Sequence, residues 1–150
     1  MNTQTNNHLT DKQIKQTGSV YTPTKLVETM LDKVPYDKLI NPDSWFVEPC
    51  CGTGAIVIGI LNRRVANGVE PKVALTHIIA NELLTDSFKI LRQNLIEWAK
   101  ANGVEPHLVD EQIFNMDMWA FFNVMRGISP STSKGNSKAV TNGVLGEFLQ

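Results

Sequence analysis

The feature that most constrains the fold is a glycine turn between two apolar segments. Trp45-Phe46-Val47-Glu48 is a short apolar run ending in an acidic residue, and Pro49-Cys50-Cys51-Gly52-Thr53-Gly54 follows it directly. The next segment, Ala55 to Leu61, is apolar and predicts a helix. Glycines in such a turn let the backbone approach a ligand, and the free N–H groups at the start of a helix favour electron-rich groups. The pattern predicts a buried strand, a tight turn and a helix, in which the turn either holds a ligand or serves chain reversal alone.

Other apolar segments alternate in type along the chain. A helix is predicted from Pro23 or Thr24 to Lys33, and an amphipathic helix from Thr85 to Lys100. The runs Val73 to Ala80 and His107 to Phe114 supply a second and a third strand. Strands that alternate with helices imply βαβ units, so we predict an α/β fold with about three or more parallel strands flanked by helices. Gly59 would weaken its helix unless close packing requires it.

Acidic residues close each of the predicted strands. Glu48 ends the first, Asn81-Glu82 follows the second, and Asn115-Met116-Asp117 follows the third. Such residues suit a nucleoside lying across the carboxyl edge of a sheet, with Glu82 at a ribose diol and Asp117 at an exocyclic amino group. Each also has a structural interpretation. Glu82 would complement the dipole of the following helix, and Asp117 would cap a helix from Met118 to Met125.

Composition excludes several classes of protein. The 150 residues carry 14 basic and 15 acidic side chains, so the chain is not a generally basic nucleic-acid clamp. The cations Arg63, Arg64, Lys134 and Lys138 are too dispersed to form a basic patch and are expected on a solvated surface. No run of about eighteen apolar residues spans a membrane, and the polar N-terminus lacks the apolar part of a secretory signal, so a cytoplasmic protein is expected. The adjacent Cys50 and Cys51 and the scattered histidines predict no metal site.

The ordered set of these motifs, with Thr17-Gly18-Ser19-Val20-Tyr21-Thr22-Pro23 upstream, resembles the cofactor-binding half of adenine-specific DNA N6-methyltransferases. The resemblance covers roughly residues 17–122. It implies a Rossmann-like methyltransferase fold, S-adenosyl-L-methionine as the cofactor, and transfer of a methyl group to an adenine amino group in DNA. DNA methylation within a restriction–modification system is the setting that it implies.

The resemblance also implies the residues that contact the cofactor. They are Tyr21, Thr22 and Pro23 at the methionine end; Glu48, Pro49, Cys50, Gly52 and Gly54 in the turn beneath the amino acid and ribose; Glu82 at the ribose hydroxyls; Leu83 and Met118 on the adenine faces; and Asp117 at the adenine amino group.

The catalytic signature of this family, Asn/Asp/Ser-Pro-Pro-aromatic, does not follow Asp117. The one proline downstream is Pro130, in Ile128-Ser129-Pro130-Ser131, which lacks the second proline and the aromatic. We therefore assign no catalytic residue. The expectation is a truncated methyltransferase with an incomplete sheet, inactive as an isolated chain, whose open sheet edge pairs with a partner subunit or a second copy.

Two other functions remain open. The chain could be a non-catalytic cofactor-binding or regulatory subunit that acts with a partner carrying the catalytic motif. It could also be a Rossmann-like enzyme using a nicotinamide cofactor, although Val57 stands where the G-x-G-x-x-G fingerprint needs its third glycine. The predicted organisation is a flexible polar arm over residues 1–16, a binding domain over 17–126, and a loop or tail over 127–150.

Overall fold

The computed structural model describes residues 10, 12 and 21–127. Nearly all of the predicted arm and of the predicted tail, together with residues 17–20 of the upstream motif and Pro130, lie outside the described residues. In the part that is described, no helix combines the length and apolar character needed to cross a membrane.

Three parallel strands form one sheet in the order β1-β2-β3, with β1 at Phe46–Glu48, β2 at Ile78–Asn81 and β3 at Ile113–Phe114. Phe46 lies opposite Ile78, and Ala80 lies opposite Ile113. The central strand β2 is buried at every position, as expected for a parallel strand covered on both faces. The predicted mixed α/β class, with parallel strands flanked by helices, is confirmed.

Six α-helices and one 3-10 helix lie within residues 21–127. The helices predicted to begin near Thr24, Ala55 and Thr85 are confirmed. The elements are α1 Thr24–Leu31, α2 Tyr36–Ile40, α3 Ala55–Ala66, α4 Pro71–Thr76, α5 Thr85–Ala101, the 3-10 helix Pro106–Glu111, and α6 Met118–Met125.

Two strand predictions were too long. The run Val73 to Ala80 divides into the end of α4 and the strand β2, and His107 to Phe114 divides into the 3-10 helix and the short strand β3. A proline begins each of the two helices, because its fixed φ suits the first helical position and its missing N–H costs nothing there. Periodicity alone cannot separate a buried helical turn from a buried strand of the same apolar composition.

The core lies on both faces of the sheet. On one face, Ile78 and Ala80 pack in a buried cluster with Leu61 of α3 and Leu91 of α5. Side chains alternate along a strand, so Phe114 points to the opposite face from Ile113. There the Phe114 ring contacts Phe121 of α6, with centroids 5.8 Å apart. Helices therefore hold both faces and leave the strand ends to form the site.

Close packing accounts for the glycine within α3. A Cβ placed on Gly59 would lie 2.5 Å from Cγ1 of Val27, because α1 packs directly against α3 at this point. Arg63, one turn further along α3, forms ion pairs with Glu28 of α1 and with Asp32, the residue directly after α1. The close packing that a glycine within this helix is expected to serve is therefore present.

The expectation of a solvated surface is wrong for Arg64. Its side chain is 0% exposed, and its guanidinium donates hydrogen bonds to the carbonyls of Leu39 and Asn41 at 3.2 and 2.9 Å. The guanidinium carbon also lies 5.1 Å from the centroid of Phe46. Burial lowers the pKa of this guanidinium. Arg64 ties the connection between α2 and β1 to α3, a contact that depends on tertiary structure.

Candidate ligand-binding site

The carboxyl ends of the three strands meet at one edge of the sheet. The strands are parallel and neighbouring, and they end at Glu48, Asn81 and Phe114. The glycine turn, the Glu82–Leu84 segment and the Asn115–Asp117 segment therefore leave the sheet side by side. This edge is where open α/β sheets bind their ligands.

The two glycines of the turn have left-handed backbone conformations but different surroundings. Gly52 has φ +57° and Gly54 has φ +95°. A Cβ on Gly52 would meet no atom within 4 Å, whereas a Cβ on Gly54 would lie 2.6 Å from Cδ1 of Leu91 in α5. Gly54 thus makes room for a helix of the same chain. Gly52 leaves open space beside the backbone.

Glu82 connects the second strand end to the glycine turn. Its Oε2 accepts a hydrogen bond from the Gly52 N–H at 2.8 Å, and its Oε1 accepts one from the Leu84 N–H at 2.8 Å. The side chain is buried. Each carboxylate oxygen has two acceptor positions, so both can still accept a hydrogen bond from a ligand hydroxyl.

Glu48 places a second carboxylate at the start of the turn. It is partly buried and accepts a hydrogen bond from the Cys50 N–H at 3.3 Å. Burial raises the pKa of Glu48, and the hydrogen bond from Cys50 partly opposes this shift. A cationic group bound beside the carboxylate would favour its ionised form.

Sulfur atoms join the turn to α6. The Cys50 Sγ lies 3.7 Å from the Met118 Sδ. Burial raises the pKa of the Cys50 thiol, and the charges of Glu48 and Glu82 add to the shift. Burial raises the pKa of Cys51 still further. Both residues are free cysteines that stay protonated at neutral pH, and thiols are poor nucleophiles.

Asp117 caps α6, as its structural interpretation predicted. Its Oδ1 accepts hydrogen bonds from the N–H groups of Trp119 and Ala120 at 2.8 and 3.4 Å. Large apolar side chains are exposed in the segments that follow β2 and β3: Leu83 is 56% exposed and Trp119 is 71% exposed. Trp119 is not among the site residues that the sequence predicts. Its position two residues after the acidic strand end was the available signal.

The predicted methionine-end segment stands at the start of α1. Tyr21 and Thr22 are partly buried, and the Pro23 carbonyl accepts hydrogen bonds from the Leu26 and Val27 N–H groups. This segment leads directly into α1, which packs on α3, the helix that follows the glycine turn. A contact with the cofactor stays a prediction for these residues.

Two asparagines that the sequence analysis left without a role link the strand ends. Asn81 closes β2 and contacts both the glycine turn and the segment after β3. Asn115 follows β3 and contacts the segment after β2. The signal for both was an asparagine at a predicted strand end, one residue before Glu82 in the first case and two residues before Asp117 in the second.

Comparison of the chain with protein-family models, with curated proteins and with solved structures found no match. Over the described ranges, no group of three or more His, Cys, Asp and Glu side chains is placed to hold a metal ion. The edge combines three carboxylates, those of Glu48, Glu82 and Asp117, with an open glycine backbone and exposed apolar side chains. Such a set can bind a ligand that presents hydroxyl groups, a cationic group and a flat apolar ring.

Proposed function

We propose that the chain binds S-adenosyl-L-methionine at the carboxyl edge of its sheet. The observation that carries the proposal is the 2.8 Å hydrogen bond from the Gly52 N–H to the Glu82 carboxylate. It brings an acidic strand end and an open glycine backbone together, and a ribose needs both: acceptors for its diol and room beside the chain. Glu48 would face the cationic ammonium group of the methionine part.

The remaining contacts suit the adenine ring. Leu83 and Met118 would pack on its faces, and Asp117 would accept a hydrogen bond from its amino group. Tyr21, Thr22 and Pro23 are proposed at the methionine end, with Pro49, Cys50 and Gly54 shaping the turn.

The finer fold is proposed to be Rossmann-like. The strand order β3-β2-β1 corresponds to one half of a doubly wound sheet, in which the ligand lies beyond the carboxyl end of the first strand. When bound, the cofactor supplies an activated methyl group. By the resemblance of its motifs, the chain is proposed to be the cofactor-binding part of an adenine-specific DNA N6-methyltransferase, with DNA as the methyl acceptor.

A second candidate is a non-catalytic subunit that completes its site with a partner chain. Within residues 21–127, β1 pairs with β2 alone, and Val47 on β1 is exposed. An edge strand with exposed apolar surface is suited to pairing with another chain. In this version the partner supplies the residues that position the target adenine.

Calorimetric titration of the full chain tests the cofactor. We expect saturable heat and a raised melting temperature with S-adenosyl-L-methionine, and neither with NAD. Glu82→Gln replaces one acceptor oxygen by a donor and should weaken binding at least about tenfold, since a buried polar group is left mispaired. Glu111→Gln, at an exposed residue of the 3-10 helix before β3, is the control and should bind like the wild type.

Absence of heat and of a thermal shift with S-adenosyl-L-methionine would overturn the proposal, and tighter binding of NAD would favour the nicotinamide alternative. Methyl transfer to unmodified duplex DNA tests catalysis. We expect none from the chain alone, and turnover would contradict the assignment of the catalytic motif to another segment or chain.

A further inference from the structure

We infer that the side-chain amides of Asn81 and Asn115 set the spacing of the three loops of the cofactor site, and we call this pair the amide bracket. The first loop is the glycine turn, the second is the Glu82–Leu84 segment and the third is the Asn115–Asp117 segment. The inference rests on the proposed function. Neither side chain is proposed to contact the cofactor, so both are positioning residues. Asn81 is the last residue of β2 and is 1% exposed, whereas Asn115 directly follows β3 and is exposed.

Asn81 links the first loop, the glycine turn, to the third loop, Asn115–Asp117. Its Nδ2 donates hydrogen bonds to the carbonyls of Pro49 and Met116, each at 3.0 Å. Its Oδ1 accepts a hydrogen bond from the Met116 N–H at 3.2 Å, and its backbone carbonyl accepts one from the Cys51 N–H at 3.0 Å. Both amide donors and the amide acceptor are used, so a side chain of different chemistry cannot reproduce the set.

Asn115 belongs to the third loop and links it to the second loop, Glu82–Leu84. Its Nδ2 donates hydrogen bonds to the carbonyl of Glu82 at 2.7 Å and to that of Leu83 at 3.1 Å. Its Oδ1 lies 3.4 Å from the Thr85 hydroxyl, which donates to it at the start of α5. Together the two amides connect all three strand ends.

The bracket matters most for a ligand that contacts every loop. The proposed cofactor would touch the glycine turn, Glu82 with Leu83, and Asp117 with Met118. It therefore depends on spacings that are set before binding, because loops that must be ordered on binding reduce affinity. Adenosine lacks the amino-acid part and depends less on the glycine turn. Loss of Asn81 should thus weaken the complete ligand more than adenosine, while loss of Asn115 should weaken both.

The test measures the affinity of the full chain for two ligands. S-adenosylhomocysteine, which carries both the adenosine and the amino-acid part, is titrated by calorimetry, and adenosine is titrated by NMR. Asn81→Leu removes all three side-chain hydrogen bonds at similar volume, and Asn115→Ala removes the exposed amide. Gln112→Leu is the matched control. It is a buried amide before the opposite end of β3, and its Oε1 has no hydrogen-bond partner among the described residues. Melting temperatures are recorded for every variant.

We expect Asn81→Leu to weaken the binding of S-adenosylhomocysteine at least tenfold and the binding of adenosine at most threefold. Asn115→Ala should weaken both ligands threefold to tenfold, and Gln112→Leu should leave their affinity ratio unchanged even if it lowers the melting temperature.

The bracket is overturned if the wild type binds and both asparagine variants keep its affinities, or if Gln112→Leu changes the ratio as Asn81→Leu does. If Asn81→Leu fails to fold, the ligand affinities of Asn115→Ala test the inference, because the Asn115 side chain is exposed. A wild type that binds neither ligand refutes the proposed function, and the inference falls with it.

Discussion

Gly52 and Gly59 belong to one strand–turn–helix unit, but the packing of the protein accounts for only one of them. A Cβ on Gly59 would collide with Val27, so the helix α1 takes the space that a side chain would occupy. A Cβ on Gly52 would meet no atom within 4 Å, and only its φ of +57° favours glycine there. The missing side chain therefore serves the fold at Gly59 and leaves accessible space at Gly52.

The regions around the two glycines are also built differently. Between α1 and α3, apolar side chains pack closely and Arg63 forms its ion pairs at the rim. At the carboxyl edge, Glu82, Asn81 and Asn115 hold backbone groups of other loops through hydrogen bonds. A region with few buried apolar contacts opens more readily than the core. The edge is therefore the part that we expect a ligand to stabilise.

The largest expected effect is on the folded state at Gly59. Gly59→Val should lower the free energy of unfolding by about 3 kcal/mol, at the upper end of the cost of overpacking a core. Urea titration measures the change, and Val27→Ala in the same chain should recover part of it. Ligand affinity of the remaining folded protein should not change. A variant as stable as the wild type would show that α1 does not pack on α3 in this way.

The second prediction concerns Gly52, with Gly103 as its matched control. Gly103 also has a left-handed φ, +70°, and open space around it, but lies after α5. Alanine at either position should cost about 1 kcal/mol of stability through backbone strain. Only Gly52→Ala should also weaken the binding of S-adenosyl-L-methionine, by at least about tenfold or 1.4 kcal/mol. Equal affinities in the two variants would remove the glycine turn from the site.

The smallest expected effect is the pH dependence at Glu48. Because burial raises its pKa in the folded state, the folded protein binds the proton more tightly than the unfolded chain does. Stability from this group therefore falls as pH rises between the ordinary and the raised pKa, and Glu48→Gln should remove that slope. Denaturant titrations at several pH values measure it.

Binding should show the opposite dependence on pH. A cationic ammonium group needs the ionised carboxylate, so wild-type affinity should decrease as pH falls through the raised pKa, by about threefold for a carboxylate partly screened by water. Glu48→Gln should bind with an affinity that does not vary over the same range. An unchanged slope in this variant would place the ammonium group elsewhere.

Local patterns in the sequence determined much of this protein. The apolar run before the glycine turn, the helical spacing after Thr85 and the acidic residues after each run are properties of short segments, and they predicted the α/β class and the positions of Glu48, Glu82 and Asp117. They did not separate α4 from β2 or the 3-10 helix from β3. In both cases a buried helical turn and a buried strand use the same apolar side chains.

Only the tertiary structure decided which polar groups pair. The contact of Glu82 with Gly52 joins residues 30 positions apart, and Asn81 reaches Pro49 and Met116 across neighbouring strands. Arg64 is buried because the carbonyls of Leu39 and Asn41 approach it from a different part of the chain. No local pattern predicts such contacts, since strand order and register set the distances, and these depend on the packing of the whole chain.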